Sequence, residues 1–400
     1  MPITTEKLAQ ATNLIAAANV DAWLTFDRET ADGGDPVLPL ILEGGLTWQS
    51  ALIVTNKGKK IAIVGNYDAE PIEASGDWDE VIPYVQGIHQ ALLGTLERVI
   101  PQDVKAPRIA VNFSLQDAKA DGLKHGMFLQ LTQYLKNTRF AGSLVSAEEI
   151  TLTLRSCKTA GEINLVREAI KTTDRLFDQV SRFARLGRSE MEIYDFVQKT
   201  IDDQGLGYGW DRAGNPIVNT GPHSMIGHGR PSSEITIEPG HILHLDLGII
   251  QNGYSSDIQR CWYFPLPGQS EIPPDVAKAL AAVFGAITTA SKLIRPGVLG
   301  WEVDQVARQY IVEAGYPEYQ HALGHQVGRL AHDGGAILGP RWERYGQTPL
   351  MPLQKNQLFT LELGVMVPDR GYLGLEEIVA ITDTGFTWLS ERQLDIPVMI

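Results

Sequence analysis

The sequence predicts an α/β protein of two domains: a mixed-sheet α/β domain over residues 1–145, and an α+β domain over residues 146–400 in which two helices precede a β-hairpin twice. With 400 residues, the chain exceeds the size at which one hydrophobic core stops growing. Short apolar runs alternate with helical stretches up to about residue 145, as is typical of α/β domains. Two amphipathic hairpins, at residues 241–262 and 358–382, each follow predicted helices.

Four apolar runs of the first domain are typical of buried strands, and two longer stretches have helical periodicity. The first 20 residues interleave apolar residues with acidic and polar ones, which indicates an amphipathic helix rather than a signal peptide. The strands are predicted at residues 21–26, 50–55, 60–65 and 108–113, and the helices at 87–100 and 122–137.

The second domain opens with three helix-start signatures, in which Ser or Thr is followed three residues later by Glu. They begin at Ser146, Thr159 and Ser189. The middle helix is predicted to run to about Gly187, a residue type suited to a C-cap. Two further helices are predicted at about 274–294 and 300–315, before the second hairpin.

The turn of the first hairpin is predicted at residues 252–253, Asn-Gly, because a type I′ turn needs positive φ at both positions. Asp246 is then opposite Gln259 and diagonal to Asp257, about 7–8 Å away at the backbone. Both aspartates share one face, whereas alternation places the apolar residues on the other. That apolar face is formed by Leu243, Leu245, Leu247, Ile249, Ile258 and Trp262.

In the second hairpin we predict a three-residue loop at residues 369–371, Asp-Arg-Gly, with glycine at the left-handed position. Glu362 is then opposite Ile378 and diagonal to Glu376. The neighbouring Glu377 points to the apolar face. A four-residue loop would reverse the choice between the two glutamates, so the assignment depends on the turn.

The two hairpins present four carboxylates, and His325 lies between them in the segment GHQVG, residues 324–328. Ionised carboxylates in a partly desolvated cleft repel one another unless they are protonated, paired or bound to metal. Two divalent cations per chain would neutralise all four. Oxygen ligands with a single imidazole suit Mn²⁺, Co²⁺, Fe²⁺ or Zn²⁺, of which we expect Mn²⁺. The alternative interpretation is that these acids are solvated strand positions or partners in salt bridges.

Four segments, DLGIIQNGYSSDIQR, GHQVGRLAHD, LELG and LEEIVAITDTG, resemble in order and spacing the motifs of the pita-bread metallopeptidases. This superfamily contains methionine aminopeptidase, Xaa-Pro aminopeptidase, prolidase and creatinase. The upstream segment NPIVNTGPHSMIGHGRPS is similar as well, and the first domain resembles that of the creatinase–prolidase branch. The resemblance implies a pita-bread fold for residues 146–400, a short peptide as substrate and a homodimer.

The resemblance implies a role for each candidate metal ligand. Asp246 corresponds to a chelating ligand of one ion, and Asp257 and Glu376 correspond to carboxylates that bridge two ions. His325 and Glu362 correspond to ligands of the other ion. A hydroxide held between the two ions would attack a peptide carbonyl.

Three residues are expected to act on the substrate, again by resemblance. Glu362 would shuttle the proton. His228 and His332 match histidines that contact the substrate carbonyl or stabilise the tetrahedral intermediate. We expect the remaining histidines near the motifs, His244 and His321, to be structural.

Two positions depart from the family pattern. Leu363 follows the glutamate of the third motif where the family usually has proline, and Gly374 stands where many proline-directed members carry arginine. Three interpretations therefore stay open: a metallopeptidase of short peptides such as an Xaa-Pro aminopeptidase or dipeptidase, a lyase or amidohydrolase with the same metal site, or a non-catalytic binding module. The complete ligand set argues against the third.

Two features beside the motifs have structural interpretations. Alternation points Arg260 to the apolar face, where it is predicted to pair with Glu377. The aromatic residues Tyr208 and Trp210 either line a pocket for an apolar side chain or pack their own loop.

The composition limits the partners and the compartment. A net charge of −14 argues against nucleic acid and anionic membranes, because either would require a basic face. The two cysteines are too few for a disulfide framework. No run reaches the ~18 uncharged apolar residues of a membrane span. We therefore expect a cytoplasmic protein.

Overall fold

The computed structural model describes residues 2–227 and 229–399, and the chain divides into two compact units, Met1–Arg155 and Ser156–Ile400. The helices are α1 (Ile3–Ala17), α2 (Leu38–Ile41), α3 (Ala69–Ser75), α4 (His89–Val99), α5 (His125–Leu135), α6 (Glu148–Ser156), α7 (Ala160–Phe183), α8 (Glu190–Asp203), α9 (Pro274–Ser291) and α10 (Gly300–Glu313). The strands of the first unit are β1 (Ala22–Asp27), β2 (Ser50–Thr55), β3 (Lys60–Gly65), β4 (Glu80–Tyr84), β5 (Ile109–Val111) and β6 (Leu144–Ser146). Those of the second are β7 (Gly207–Tyr208), β8 (Ile217–Thr220), β9 (Ile242–Leu247), β10 (Ile249–Gln251), β11 (Tyr254–Ser255), β12 (Ile258–Tyr263), β13 (Leu358–Val367), β14 (Gly371–Ile381) and β15 (Phe386–Trp388).

The first unit is built around a six-stranded sheet with the strand order β4-β3-β2-β1-β5-β6. β1, β2 and β3 are joined by antiparallel pairs, whereas β4, β5 and β6 are added by parallel pairs. Alternate residues of β1 to β3 enter two separate cores, one shared with α1 and one shared with α4 and α5. This confirms the predicted mixed-sheet α/β class. The two strands that the sequence did not reveal, β4 and β6, are the edge strands.

Helix capping follows the sequence signatures at two of the three predicted positions. Thr159 and Ser189 form capping boxes with the glutamate three residues later in α7 and α8. Ser146 instead ends β6, and α6 begins at Glu148. α7 ends before the predicted Gly187, because the residue after Phe183 is extended, with ψ 127°.

Two helices precede each hairpin of the second unit, as the sequence predicts. α7 and α8 come before the hairpin of β9 to β12, and α9 and α10 come before the hairpin of β13 and β14. One face of the β13–β14 hairpin packs with α9 and α10 into a single apolar core. Among the described helices, none is both long and apolar enough to cross a membrane.

The first hairpin has the predicted register. Asn252 and Gly253 have φ of 51° and 76°, as a type I′ turn requires. Asp246 is paired with Gln259 on β12 and with Ile217 on β8. The first hairpin is interrupted after β9. Its outer part, β9 with β12, forms a sheet with β8, and its part near the turn, β10 with β11, forms a sheet with β7.

The second hairpin is paired two residues away from the predicted register. Val367 pairs with Gly371, so the loop consists of residues 368–370, and Glu362 lies directly opposite Glu376. The predicted diagonal arrangement is therefore wrong. Because side chains alternate with a period of two, a shift of two residues leaves both glutamates on one face.

The turn explains the shift. The N–H of Arg370 donates to the carbonyl of Val367 at 3.0 Å, so Pro368 and Asp369 are the central residues of the turn. Asp369 has φ 59°, which fits the third position of a type II turn, and proline is common at the second. The prediction placed the turn on the glycine instead of on this Pro-Asp pair.

Candidate metal centre

Alternation along the two hairpins places the four carboxylates. Asp246 lies on β9 and Asp257 immediately precedes β12, while Glu362 lies on β13 and Glu376 on β14. Asp257 and Glu376 are 5% and 1% exposed, and the other two are partly buried. The four carboxylates therefore enter a largely desolvated space.

The two hairpins are in direct contact between β12 and β14. The guanidinium of Arg260 donates to the carbonyl of Glu376 at 2.9 Å. The thiol of Cys261 donates to the carbonyl of Gly374 at 3.2 Å. These contacts bring together carboxylates that are more than a hundred residues apart in the sequence.

His325 is brought to the site by a segment that runs along β13. The N–H of Glu362 donates to the carbonyl of Leu323 at 2.7 Å, and the N–H of Thr360 donates to the carbonyl of His325 at 2.9 Å. Between these contacts lies Gly324, where a Cβ atom would be 1.9 Å from the carbonyl oxygen of Thr360. Only glycine allows the histidine segment to approach this closely.

The five predicted ligands meet in one cluster. One donor atom each of Asp257, His325 and Glu376 lies within 4.8 Å of the other two. His325 Nε2 is 3.6 Å from Asp257 Oδ2 and 3.3 Å from Glu362 Oε1. Asp246 is close enough to Asp257 and Glu362 for their electrostatic interactions to shift its pKa.

Several carboxylate oxygens of the cluster are buried without a partner. Among the described residues, nothing hydrogen-bonds to Oδ1 of Asp246 or to either side-chain oxygen of Glu376. Burial, together with repulsion from the other carboxylates, raises the pKa of Asp246, Asp257 and Glu376 well above the usual range. Burial also acts on Glu362, but the hydrogen bond and charge of His325 outweigh it and lower its pKa.

These observations fit a centre for divalent cations. Buried polar atoms normally have partners, and oxygens that lack one while repelling other carboxylates are where a cation would bind. The donor set, four carboxylates and one imidazole with no cysteine, suits Mn²⁺, Co²⁺, Fe²⁺ or Zn²⁺.

The sequence profile of metallopeptidase family M24 matches residues 164–383, which is more than half of the chain and contains all five candidate ligands. The chain belongs to metallopeptidase family M24. It is 26% identical over 311 residues to an Xaa-Pro dipeptidase of Pyrococcus furiosus, covering 72% of this chain and 84% of that protein. It is 28% identical over 238 residues to an uncharacterized peptidase of Staphylococcus haemolyticus, covering 59% of this chain and 63% of that protein.

The fold of this M24 chain is also that of a solved relative. The crystal structure of an X-Pro aminopeptidase from Thermotoga maritima superposes with a TM-score of 0.68 over 98% of this chain and 99% of that one, at 24% identity. The likeness extends over both units. The expected pita-bread fold with an N-terminal domain of the creatinase–prolidase branch is thereby confirmed.

Of the two predicted catalytic histidines of the M24 chain, one is placed by the structure. His332 is exposed, and its ring centroid is 4.2 Å from that of His325. The next residue, Asp333, forms an ion pair with Lys158 at 2.7 Å, and both side chains are 1% exposed. This buried pair anchors the segment that carries His332. His228 lies outside the described residues.

The sequence analysis gave no role at the M24 centre to two polar residues beside it, since it placed Gln259 only as the partner of Asp246 and expected His244 to be structural. Gln259 donates from Nε2 to Oε2 of Glu362 at 2.9 Å, and His244 Nε2 lies 3.0 Å from Gln259 Oε1. Burial lowers the pKa of His244 to about 4, so the imidazole is neutral at physiological pH. The signal was available, because alternation places His244 and Gln259 on the face of Asp246.

On the opposite face of the hairpins, Arg260 and Glu377 pair as predicted. Their side chains meet at 3.2 Å and are 8% and 2% exposed. Glu377 also accepts from Ser390 Oγ at 2.6 Å and from the N–H of Gln393 at 3.0 Å. The neighbour of Glu376 is thus satisfied away from the metal centre.

The aromatic residues before β8 pack their own loop. Tyr208 donates to Asp202 Oδ1 at 2.7 Å, and Trp210 donates from Nε1 to the carbonyl of Gly214 at 2.7 Å. The ring of Trp210 lies against Gly248, where a Cβ would be 2.5 Å from it. Of the two interpretations, the structure supports loop packing.

Proposed function

We propose that this chain is a dinuclear metal-dependent peptidase that cleaves short peptides, as an Xaa-Pro aminopeptidase or dipeptidase. The convergence of Asp246, Asp257, His325, Glu362 and Glu376 in one desolvated cluster is the observation that carries the proposal. The Xaa-Pro dipeptidase and X-Pro aminopeptidase among the similar proteins support the substrate class.

In this proposal each ligand has a defined place. Asp246 would hold one ion, His325 and Glu362 would hold the other, and Asp257 and Glu376 would be shared by both. When bound, the ions would polarise the peptide carbonyl and make a water molecule acidic enough to act as the nucleophile at neutral pH. We assign two ions per chain, with Mn²⁺ as the expected metal.

The side chains supply proton transfer and substrate contacts. In this proposal Glu362 accepts the proton of the attacking water and delivers it to the leaving nitrogen. His332, exposed beside His325, donates a hydrogen bond to the substrate carbonyl oxygen and stabilises the charge that develops there. We assign the same task to His228.

The proposal is tested by metal analysis and a peptide panel. Protein purified without chelators should contain close to two transition-metal ions per chain. Turnover of Xaa-Pro dipeptides, longer Xaa-Pro peptides and peptides without proline is then compared with Mn²⁺, Co²⁺ and Zn²⁺. Metal-free protein that binds none of these ions and cleaves no peptide would contradict the proposal.

A second candidate function keeps the metal centre but uses a non-peptide small molecule, as a lyase or amidohydrolase. The observation in its favour is that Gly374 offers no side chain to the site, and Gln259 and His244 fill the adjacent space. The panel distinguishes the two candidates, because two bound ions with no cleavage of any peptide would favour the second.

We propose further that the protein is a cytoplasmic homodimer without nucleic-acid or membrane partners. Cys157 and Cys261 form no disulfide, and Cys261 is buried, which suits a reducing compartment. The acidic composition, with a net charge of −14, is consistent with the absence of nucleic-acid and anionic-membrane partners. Light scattering of the purified protein tests the dimer.

A further inference from the structure

A chain of buried polar side chains leads from the metal centre into the protein. Gln259 Nε2 donates to Oε2 of Glu362 at 2.9 Å, and Gln259 Oε1 is 3.0 Å from His244 Nε2. On the other side of the ring, His244 Nδ1 is 3.2 Å from Asn219 Oδ1. An imidazole with one N–H donates to only one of these two oxygens, and Gln259 Oε1 is the nearer. Gln259, His244 and Asn219 are 6%, 3% and 3% exposed, so water competes little for these contacts.

The far end of the chain is firmly anchored. Asn219 Nδ2 donates to Ser224 Oγ at 2.9 Å and to the carbonyl of Met225 at 3.0 Å. Ser224 donates to Glu190 Oε1 at 2.6 Å, and Glu190 also accepts from the backbone N–H groups of Thr220 and Ser232, each at 3.0 Å. None of these anchoring residues is a candidate metal ligand.

The polarity of the contact to Glu362 is fixed. The amide of Gln259 presents its N–H₂ group to Glu362 and its oxygen to His244 Nε2. The two oxygens of Glu362 are thereby distinguished: Oε1 faces His325 Nε2 at 3.3 Å, and Oε2 is held by Gln259 at 2.9 Å. The terminal torsion of a glutamate is otherwise broad.

We propose that Gln259 is a positioning residue for Glu362, held in turn by His244. It keeps one oxygen of the carboxylate directed at the His325 side of the centre and prevents the group from rotating between metal binding and proton transfer. The inference rests on the proposed function, because it concerns the carboxylate to which both tasks are assigned.

Gly374 provides the space for this arrangement. A Cβ at this position would be 2.6 Å from Cε1 of Tyr372 and 2.9 Å from both Gln259 Oε1 and His244 Nε2, so a larger residue presses on the tyrosine ring and on the pair. The wall of the site at Gly374 is therefore an amide–imidazole pair. Gln259 and His244 can occupy their present positions only because residue 374 is glycine. An arginine at position 374 would displace both side chains.

The test begins with Gln259→Met, which keeps the length of the side chain and removes the amide. Co²⁺ is titrated into chelator-treated protein, and each binding step is followed by visible absorption. We expect the step that involves His325 and Glu362 to weaken by about 10- to 100-fold, the usual effect of losing a partner of a metal ligand. The other step should be unchanged, and kcat on the best peptide of the panel should fall while KM changes little.

Gly374→Ala should produce the same spectral change, since its Cβ displaces Gln259 and His244. The double variant Gly374→Ala/Gln259→Met should be no worse than the single variants, because both act on one contact. Gly364→Ala is the matched control, because Gly364 is paired with Gly374 and a Cβ there would be 2.4 Å from Tyr372 Cζ. Both substitutions press on the tyrosine ring, whereas only the one at Gly374 also reaches Gln259 and His244. His244→Leu gives an independent variant that should weaken the same step less than Gln259→Met does.

The outcomes separate this inference from the proposed function. A wild-type protein that binds no Co²⁺ and cleaves no peptide would overturn the proposed function. A wild-type protein that binds two Co²⁺ ions and turns over, with Gln259→Met unchanged in both binding steps and in kcat, would overturn the positioning role alone. Equal weakening of both steps would also overturn it, because a general loss of structure explains that result.

Discussion

Glu362 and Glu376 are directly paired across the antiparallel strands β13 and β14. Like charges at directly opposite positions destabilise a sheet, and both oxygens of Glu376 are buried without a partner among the described residues. Bound cations would remove this repulsion and give the oxygens of Glu376 a partner.

Stabilisation by metal should increase with pH. The raised pKa values of Asp246, Asp257 and Glu376 mean that folded metal-free protein binds protons more tightly than unfolded protein. The resulting stability is present below the unfolded-state pKa and is lost as pH rises through the folded-state pKa. We expect the difference in Tm between Mn²⁺-saturated and chelator-treated protein to widen from about pH 5.5 to about pH 8. A difference independent of pH would contradict this account.

Glu376→Gln should stabilise the metal-free protein and abolish function. Removing one buried charge relieves repulsion from Asp257, Glu362 and Asp246. At about pH 8 we expect chelator-treated Glu376→Gln to melt about 2–4 °C above chelator-treated wild type, the shift that about 1 kcal/mol produces in a domain of this size. With Mn²⁺ the order should reverse, since the variant loses a bridging ligand. Calorimetry of the variant and the wild type, with Mn²⁺ and after chelator treatment, measures both differences in Tm.

His332→Gln should separate metal binding from catalysis. The residue is exposed beside His325 and is assigned to the substrate rather than to the metal. We expect close to two ions per chain by elemental analysis, and a kcat lower by about 10²- to 10³-fold, as for the loss of one donor to a developing oxyanion. Asp257→Asn is the matched comparison, and it should lose both metal and turnover. Loss of metal in His332→Gln would assign this histidine to the ligands instead.

Arg260→Met should strongly destabilise the protein, although Arg260 lies on the face of the hairpins opposite the metal centre. The guanidinium pairs with Glu377 at 3.2 Å, and its removal leaves a buried carboxylate uncompensated, at a cost of about 3–5 kcal/mol. Arg260→Met/Glu377→Gln should recover most of that loss, because the charge is removed as well. Urea unfolding of the two variants in the presence of metal measures the difference. Equal stability of the single and double variants would show that Arg260 acts through packing alone.

The sequence predicted much of the site because a strand alternates with a period of two. An error of two residues in the second hairpin left Glu362 and Glu376 on one face and Glu377 on the other. The pairing of Arg260 with Glu377 followed from the same alternation. The register of each hairpin was predicted from the residues of its turn. This prediction was wrong only in the second hairpin, where Pro368 and Asp369 form the turn instead of the segment that ends at the glycine.

By itself, the sequence determined the face of each hairpin residue, the helix–helix–hairpin order of both halves and the family to which the chain belongs, since these depend on local periodicity and motif spacing. Only the tertiary structure decided which faces meet. The hydrogen bond of Gln259 to Glu362 joins two hairpins, and the approach of His325 depends on the absence of a side chain at Gly324. Such contacts are set by the packing of whole elements, which no local pattern in the chain encodes.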